Sequence, residues 1–257
     1  MDRTSSHRGF TLIELLVVVS IIALLLAVLL PALASARATG HSVKCLGALH
    51  NIGVALHGYF QSNDDRFPLS QAHGGYQPGT AWLDTLMPYA DGVMHYHCPR
   101  DESTNFAESN PALRRVTSYG VNIFMGPNPA DWFPNNPSGI PPFGYEAVTK
   151  LGARSSNVIF AAELAEQDQH GRPIHPDHFH AERWGVNPFT GYGGADPQYD
   201  LAFRRHLGKA NYLFADAHAE SLAFERTFLV SSDGGVLLVN QYDPGFPHSP
   251  QGWYHPE

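Results

Sequence analysis

An uninterrupted apolar run, from Phe10 to Leu30, follows a short basic leader at the N-terminus of the chain. The run has about the length that a helix needs to cross a bilayer. Arg3 and Arg8 precede it, so the positive-inside rule predicts a cytoplasmic N-terminus and an exported remainder. One acid, Glu14, lies near the start of the run. Because a carboxylate is costly in lipid, we expect Glu14 to have a specific role.

Three interpretations of this segment compete. In the simplest, it is a single-pass anchor whose acid reaches the membrane interface. In the second, it is a secretory signal peptide, because Ala32-Leu33-Ala34 resembles a small-residue cleavage site. The third rests on the string from Gly9 to Glu14, Gly-Phe-Thr-Leu-Ile-Glu, which is far more specific than apolar character alone. A typical secretory apolar region is shorter and holds no acid, which favours the third interpretation.

The string from Gly9 to Glu14 closely resembles the N-terminus of type IV pilins and pseudopilins. The resemblance implies that a prepilin peptidase cleaves after Gly9 and methylates Phe10, the new N-terminal residue. It also implies that Glu14, at the fifth mature position, pairs with the N-terminal amine of a neighbouring subunit. The partners implied are the prepilin peptidase, other pilin or pseudopilin subunits and the inner membrane, with the C-terminal domain exported to the periplasm.

The segment after Pro31 has the period of an amphipathic helix. Apolar residues recur at i, i+4, i+7, i+11 and i+14 on one face, and the other face is polar or small. The apolar face consists of Cys45, Leu49, Ile52, Leu56 and Tyr59. Pro31 marks either a kink within one long helix or the end of a first helix. We expect Asn63-Asp64-Asp65 to end the second half.

The pattern predicts four parts: a leader over 1–9, a transmembrane or filament-core helix over 10–31, an amphipathic half over 32–60 and an exported domain over 61–257. In the domain, short apolar segments alternate with loops rich in Pro, Gly, Asn and His, such as 126–145 and 166–200.

These segments predict the elements of the domain. We expect a short helix over Ala81–Ala90 and strands over 116–124, 157–162, 210–215, 219–224 and 236–240. The fold class is therefore α+β: a long N-terminal helix packed on a mostly antiparallel sheet, as in pilins.

Composition limits the function. The net charge is −8, and the Lys and Arg residues are scattered without a basic stripe, which argues against nucleic acid as a partner. The chain has no G-x-S-x-G string and no recognisable Cys/His pattern of a nucleophile and its base. We therefore expect a protein that is not an enzyme.

Three internal motifs resemble a large bacterial pseudopilin-like family. They are the Cys-Pro-x-Asp element Cys98–Asp101, the Ser-Tyr-Gly-x-Asn strand Ser118–Asn122, and His206 followed nine residues later by Asp216. In that family Gly follows the last Asp, whereas this chain has Ala217. Because Gly supplies a positive φ in tight hairpin turns, Ala217 should strain the turn or change its type.

The two cysteines suggest a covalent link. Cys45 lies on the inward face of the helix, and Cys98 begins a Pro-containing loop. In an exported domain they could form a disulfide that fastens the loop to the helix. The alternative is a pair of buried free thiols.

The sequence gives only weak evidence for a metal site. His175, His178 and His180 lie close together in the sequence and could hold zinc, but their spacing matches no known signature, so a polar loop with solvated histidines is favoured. Calcium is conceivable on loop carboxylates, yet the EF-hand spacing is absent. No cofactor is therefore assigned.

For His206 and Asp216, a hydrogen-bonding histidine and a turn-forming acid are favoured over catalysis, and Glu163 is a candidate partner for one of the histidines.

The leading hypothesis is a structural subunit of a type IV pilus-like or type II secretion pseudopilus filament. The alternative is an exported binding module that uses a pilin-type anchor without polymerising. It would bind through loop aromatics such as Trp132, Trp184 and Tyr192. The sequence does not distinguish secretion, pilus and competence machines, nor a major from a minor subunit.

Overall fold

The computed structural model describes residues 11–68, 81–92, 94–110, 114–122, 125, 147–167, 171, 177–179, 181, 184, 197–230 and 237–242. The chain divides into two compact units, residues 1–40 and residues 41–257. The first helix, α1, runs over Leu12–Ser62 and crosses this division.

In the first unit, α1 is almost entirely apolar, and its large side chains from Leu12 to Leu33 are exposed. The helix is long and apolar enough to cross a membrane, judged by its length and composition. It continues through Pro31 without a break in helical structure. Of the two predicted alternatives at this residue, the helix end is therefore wrong.

In the second unit, α1 buries one face in the domain, which confirms the predicted amphipathic half. The side chains of Cys45, Leu49, Ile52 and Leu56 are at most 1% exposed, and Tyr59 is half-buried. The opposite face is exposed at Lys44, Gly47 and Asn51. The helix ends at Ser62, where Asp64 and Asp65 adopt positive φ angles of 52° and 58°.

A five-stranded sheet faces this helix within the second unit. Its strands are β1 (Tyr119–Asn122), β2 (Ile159–Glu163), β3 (His178–Phe179), β4 (Ala210–Phe214) and β5 (Ala219–Leu222), in the order β3-β1-β2-β4-β5. All neighbouring strands are antiparallel except β1 and β3. A separate ribbon pairs β6 (Phe228–Val230) with β7 (Leu237–Asn240). The predicted α+β class with a mostly antiparallel sheet is confirmed.

The predicted short helix is confirmed with different bounds, whereas β3 and β6 were not predicted. The predicted helix Ala81–Ala90 is α2 (Trp82–Leu86), followed by a 3-10 turn over Met87–Tyr89. Strand β3 lies in the segment 166–200, which was predicted to be a loop. It has only two residues, so no alternation could reveal it. Parallel pairing with β1 and complete burial stabilise it instead.

At Gly53, α1 approaches β4 and the β4–β5 turn too closely to admit a side chain. A Cβ atom added there would lie 2.2 Å from the backbone oxygen of Ala217 and 3.0 Å from Cδ1 of Leu213. Ala217 itself lies in the β4–β5 turn with φ at 73°. The predicted strain at this position is therefore confirmed, because an alanine occupies the left-handed region.

Replacing Gly53 with alanine should separate the helix from the β4–β5 turn. We expect Gly53→Ala to lower the free energy of unfolding by roughly 2 kcal/mol, because backbone atoms must shift to admit the methyl group. Gly47 is the matched control, since a Cβ there meets nothing within 4 Å. Gly47→Ala should stabilise the helix by roughly 0.5–1 kcal/mol. Thermal unfolding of the detergent-solubilised chain, followed by tryptophan fluorescence, measures both; equal effects would contradict the packing argument.

Replacing Ala217 with glycine should relieve the strained turn. We expect Ala217→Gly to raise the free energy of unfolding by roughly 1 kcal/mol, because glycine adopts a positive φ without steric cost. Ala219→Gly, two residues later within β5, should instead lower it by roughly 0.5–1 kcal/mol. Chemical denaturation of both variants measures the difference, and destabilisation by Ala217→Gly would show that the turn is unstrained.

Candidate functional site

The described part of α1 begins with a reciprocal cap between Thr11 and Glu14. The Glu14 carboxylate accepts hydrogen bonds from the Thr11 backbone N–H at 2.8 Å and from its hydroxyl at 2.7 Å. The Glu14 backbone N–H in turn donates to the Thr11 hydroxyl at 3.2 Å. This arrangement is a capping box, which satisfies free donors at a helix start. The cleavage-site residues Gly9 and Phe10 lie outside the described residues.

A second set of functional side chains meets inside the domain. Cys45 from α1, Cys98 from the loop after α2, Glu163 from the end of β2 and His206 before β4 place their ligand-type atoms within 4.8 Å of one another. All four residues are at most 3% exposed. Buried polar groups of this kind need specific partners. These four residues are here called the Cys–Glu–His cluster. In the part of the domain that the structure describes, they form a buried group of potential metal ligands.

A tight turn positions His206. The backbone N–H and C=O of His206 pair with those of Lys209, at 2.9 and 3.0 Å. The two residues between them, Leu207 and Gly208, both have positive φ angles, of 53° and 82°. A positive φ at both central residues is the geometry of a type I′ hairpin turn. A leucine rarely adopts it, so the surrounding structure holds this turn in place.

One nitrogen of His206 faces both the thiol and the carboxylate. Its Nε2 atom lies 2.7 Å from Oε1 of Glu163 and 3.6 Å from Sγ of Cys98. The second carboxylate oxygen of Glu163 accepts the backbone N–H of Asn211 at 3.0 Å. Burial disfavours the charged imidazole, but the hydrogen bonds with Cys98 and Glu163 outweigh it and raise the pKa of His206 to about 9.

The sulfur atoms of Cys45 and Cys98 lie within 4.8 Å of each other. The interaction with Cys98 lowers the pKa of Cys45, whereas the interaction with Cys45, together with burial, raises the pKa of Cys98. Both residues are free cysteines in this structure. Their proximity is what the disulfide hypothesis requires, yet the bond itself remains a prediction.

The cluster does not have the geometry of a nucleophile and its base. In a catalytic triad the nucleophile and the acid bind opposite ring nitrogens, whereas here Cys98 and Glu163 both face Nε2 of His206. The sequence showed no Cys/His pattern because Cys98 and His206 are 108 residues apart. The fold brings them together as groups that converge on one point.

A buried ion-pair network adjoins the cluster and explains the Cys-Pro-x-Asp element. Asp101 pairs with Arg115 at 2.9 Å, and both side chains are at most 2% exposed. Arg115 also donates to the backbone oxygens of Leu164, at 2.9 Å, and Ala165. Burial lowers the pKa of Arg115 to about 10, although Asp101 opposes this shift. Arg205 extends the network; it binds Glu166 and the oxygen of Leu164, both at 2.6 Å.

The Ser-Tyr-Gly-x-Asn motif around β1 ties the other elements together. The Ser118 hydroxyl accepts the Cys98 backbone N–H at 2.8 Å, and the Tyr119 hydroxyl donates to the Cys45 carbonyl at 3.4 Å. The Asn122 amide donates to the carbonyls of Ile159 and Tyr242 at 3.0 and 2.7 Å. This motif therefore holds both cysteines in place.

The other predicted site residues are the histidines of 175–180 and Asp216. His178 is 1% exposed, and its Nδ1 lies 2.9 Å from Asp177, so the expectation of a solvated loop is wrong for this residue. His175 and His180 lie outside the described residues, and the zinc hypothesis there remains a prediction. Asp216 lies in the β4–β5 turn and accepts the backbone N–H of His218 at 3.2 Å.

Trp184, which was expected to be a loop aromatic available for recognition, is buried instead. Its ring stacks on Phe179, and its indole N–H donates to Asp200 at 2.6 Å. It also packs edge-on against Tyr242 and Phe228. Trp132 and Tyr192, the other two aromatics of that hypothesis, lie outside the described residues.

The comparison with known families concerns the N-terminus. Residues 4–30 match the family model described as the prokaryotic N-terminal methylation motif. The match shows that the chain carries a pilin-type N-terminal segment, as in type IV pilins and pseudopilins. No curated protein and no solved structure matches the chain. The resemblance of the C-terminal His206 and Asp216 motif therefore remains a prediction.

Asp101 should be essential to the stability of the loop that carries Cys98. We expect Asp101→Asn to lower the free energy of unfolding by roughly 3 kcal/mol, because it leaves the buried Arg115 without its counter-charge. Glu102→Gln, at the adjacent exposed position, should change it by less than about 0.5 kcal/mol. Thermal denaturation of the two variants measures this difference, and similar small effects would mean that the pair is energetically neutral.

Proposed function

We propose that this chain is a subunit of a type IV pilus-like or type II secretion pseudopilus filament. A prepilin peptidase would cleave after Gly9 and methylate Phe10, and subunits would then assemble by bundling of their α1 helices. The observation that carries this proposal is the methylation-motif match over residues 4–30. The mature protein would be anchored in the inner membrane with its domain in the periplasm.

The apolar character of α1 provides a physical mechanism for assembly. Between Phe10 and Ala36 the only charged side chain is Glu14. A helix that is apolar on all sides is stable in lipid and equally stable among copies of itself, so transfer into a filament exchanges one apolar environment for another. Glu14 then requires a cationic partner in either environment, and the amine of Phe10 on a neighbouring subunit supplies it.

The capping box offers a rival explanation for Glu14, since its carboxylate already binds the N-terminus of its own helix. The two explanations separate at Thr11. Thr11→Val removes the hydroxyl that binds Glu14 but keeps the charge, so an intersubunit role predicts normal assembly in that variant. A purely capping role predicts equal impairment in Thr11→Val and Glu14→Ala.

Glu14→Ala should block assembly while leaving membrane insertion and cleavage intact, because the register-setting ion pair is lost. Ser20→Ala is the control within the same helix, since that hydroxyl binds only the carbonyl of Leu16 at 2.7 Å among its described contacts. Filaments sheared from cells are quantified by immunoblot, with intact mass reporting cleavage after Gly9 and methylation of Phe10. Normal filaments from Glu14→Ala would refute the mechanism, and a mature protein that never enters filaments would support an anchored, non-polymerising module.

A further inference from the structure

The Cys–Glu–His cluster combines four potential ligands of three types that transition metals bind in proteins. Cys45 and Cys98 offer thiolates, His206 offers an imidazole nitrogen and Glu163 offers a carboxylate oxygen. Each comes from a different element of the domain, and each is buried. Glu163 and His206 are costly to bury unless they have partners, so their burial beside two thiols calls for a specific explanation.

The distances within the cluster suit tetrahedral coordination. With zinc bonds of about 2.3 Å to sulfur and about 2.0 Å to nitrogen, the sulfur and nitrogen ligands lie roughly 3.5 Å apart. Sγ of Cys98 and Nε2 of His206 are 3.6 Å apart. Oε1 of Glu163 lies 2.7 Å from the same nitrogen, so it would withdraw by about half an ångström on metal binding. For these three ligand atoms, metal binding therefore requires only this small shift of Glu163.

We propose that Cys45, Cys98, Glu163 and His206 together bind one Zn²⁺ ion as a closed structural site. A thiol and a carboxylate face the same imidazole nitrogen of His206, which supports this proposal. Ligands of one metal ion must lie close together around it, whereas in a proton relay the nucleophile and the acid bind opposite nitrogens of the ring. The soft sulfur ligands exclude calcium and magnesium, which take oxygen ligands. The site is distinct from the histidines of 175–180.

The surroundings of the cluster support the ligands. Asn211 donates its backbone N–H to the outer oxygen of Glu163, which leaves Oε1 directed at the centre. The hydroxyl of Ser118 holds the backbone of Cys98. Two thiolates and a carboxylate around Zn²⁺ carry a net charge of about −1. Arg205, the residue before His206, has a side chain that is 3% exposed, and its guanidinium adds a positive charge to the same interior.

Zinc and a disulfide make competing use of the same two sulfurs. A disulfide brings the sulfurs to about 2.0 Å and removes both as thiolate ligands, so the two states exclude one another. The zinc site would fasten α1 to the loop of Cys98, to β2 and to the turn of His206 at once. A disulfide would join only the first two.

The test uses the full-length protein, purified in detergent without chelators or reductants. We expect elemental analysis to find about one zinc ion per chain. After denaturation with a chelator, both cysteines should react as free thiols without prior reduction. Absence of zinc together with no reactive thiols would show a disulfide and overturn the proposal.

Cobalt provides a measurement that does not depend on any variant. Reduced, metal-free protein with one equivalent of Co²⁺ should show thiolate-to-cobalt charge transfer and the intense visible bands of tetrahedral cobalt, which added Zn²⁺ abolishes. An octahedral spectrum without charge transfer would overturn the proposal. Because this experiment concerns the domain interior, its failure would leave the proposed filament function untouched.

Variants then assign the ligands. Cys98→Ser and His206→Gln should each weaken zinc binding by about tenfold to a hundredfold or more. His97→Gln is the matched control, since His97 is the exposed neighbour of Cys98. Equal zinc loss in the control, or unchanged binding in both ligand variants of folded protein, would overturn the assignment. Circular dichroism confirms that each variant retains its fold.

Discussion

The contact between the inner face of α1 and the sheet is the interaction on which the rest of the domain depends. Leu49, Ile52 and Leu56 are fully buried there, and burial of side chains of this size contributes roughly 1.5–3 kcal/mol each. Gly53 permits the backbone of the β4–β5 turn to approach the helix closely. The Cys–Glu–His cluster lies along the same interface, because Cys45 belongs to the same buried stripe.

One helix thus meets two different environments. Up to Gly40 its side chains are mostly exposed and mostly apolar, whereas from His41 it carries one buried and one exposed face. Only the second pattern is amphipathic, since a fully apolar helix is stable in lipid or among other helices. The polar requirements of the two parts also differ. Glu14 accepts hydrogen bonds from its sequence neighbour Thr11, whereas Glu163 is bound by residues far away in the sequence.

The fold could be predicted from the sequence wherever apolar residues recur with the period of a helix or form a continuous strand segment. The helical period around Ile52 and the apolar segments of β2 and β4 were sufficient to predict an α+β domain. They could not reveal β3, whose two residues depend on pairing with β1. The Cys-Pro-x-Asp element is recognisable as a motif, but no local pattern links Asp101 to Arg115, because only the folded chain brings them together. His206 and Cys98 became neighbours only through the fold.

The loop that carries Cys98 is fixed at both ends, which has a consequence for how the domain would be degraded. A protease requires an extended, detached stretch of backbone, so local unfolding must precede cleavage. Here the Cys98 backbone N–H is held by Ser118, and Asp101 is held by Arg115 in the interior. Arg100 is exposed between them and is a recognition residue for trypsin. Because the backbone on either side is held in place, we expect trypsin to cleave there only after local unfolding. Resistance to digestion at Arg100 would thus report on the integrity of the buried pairs beside it.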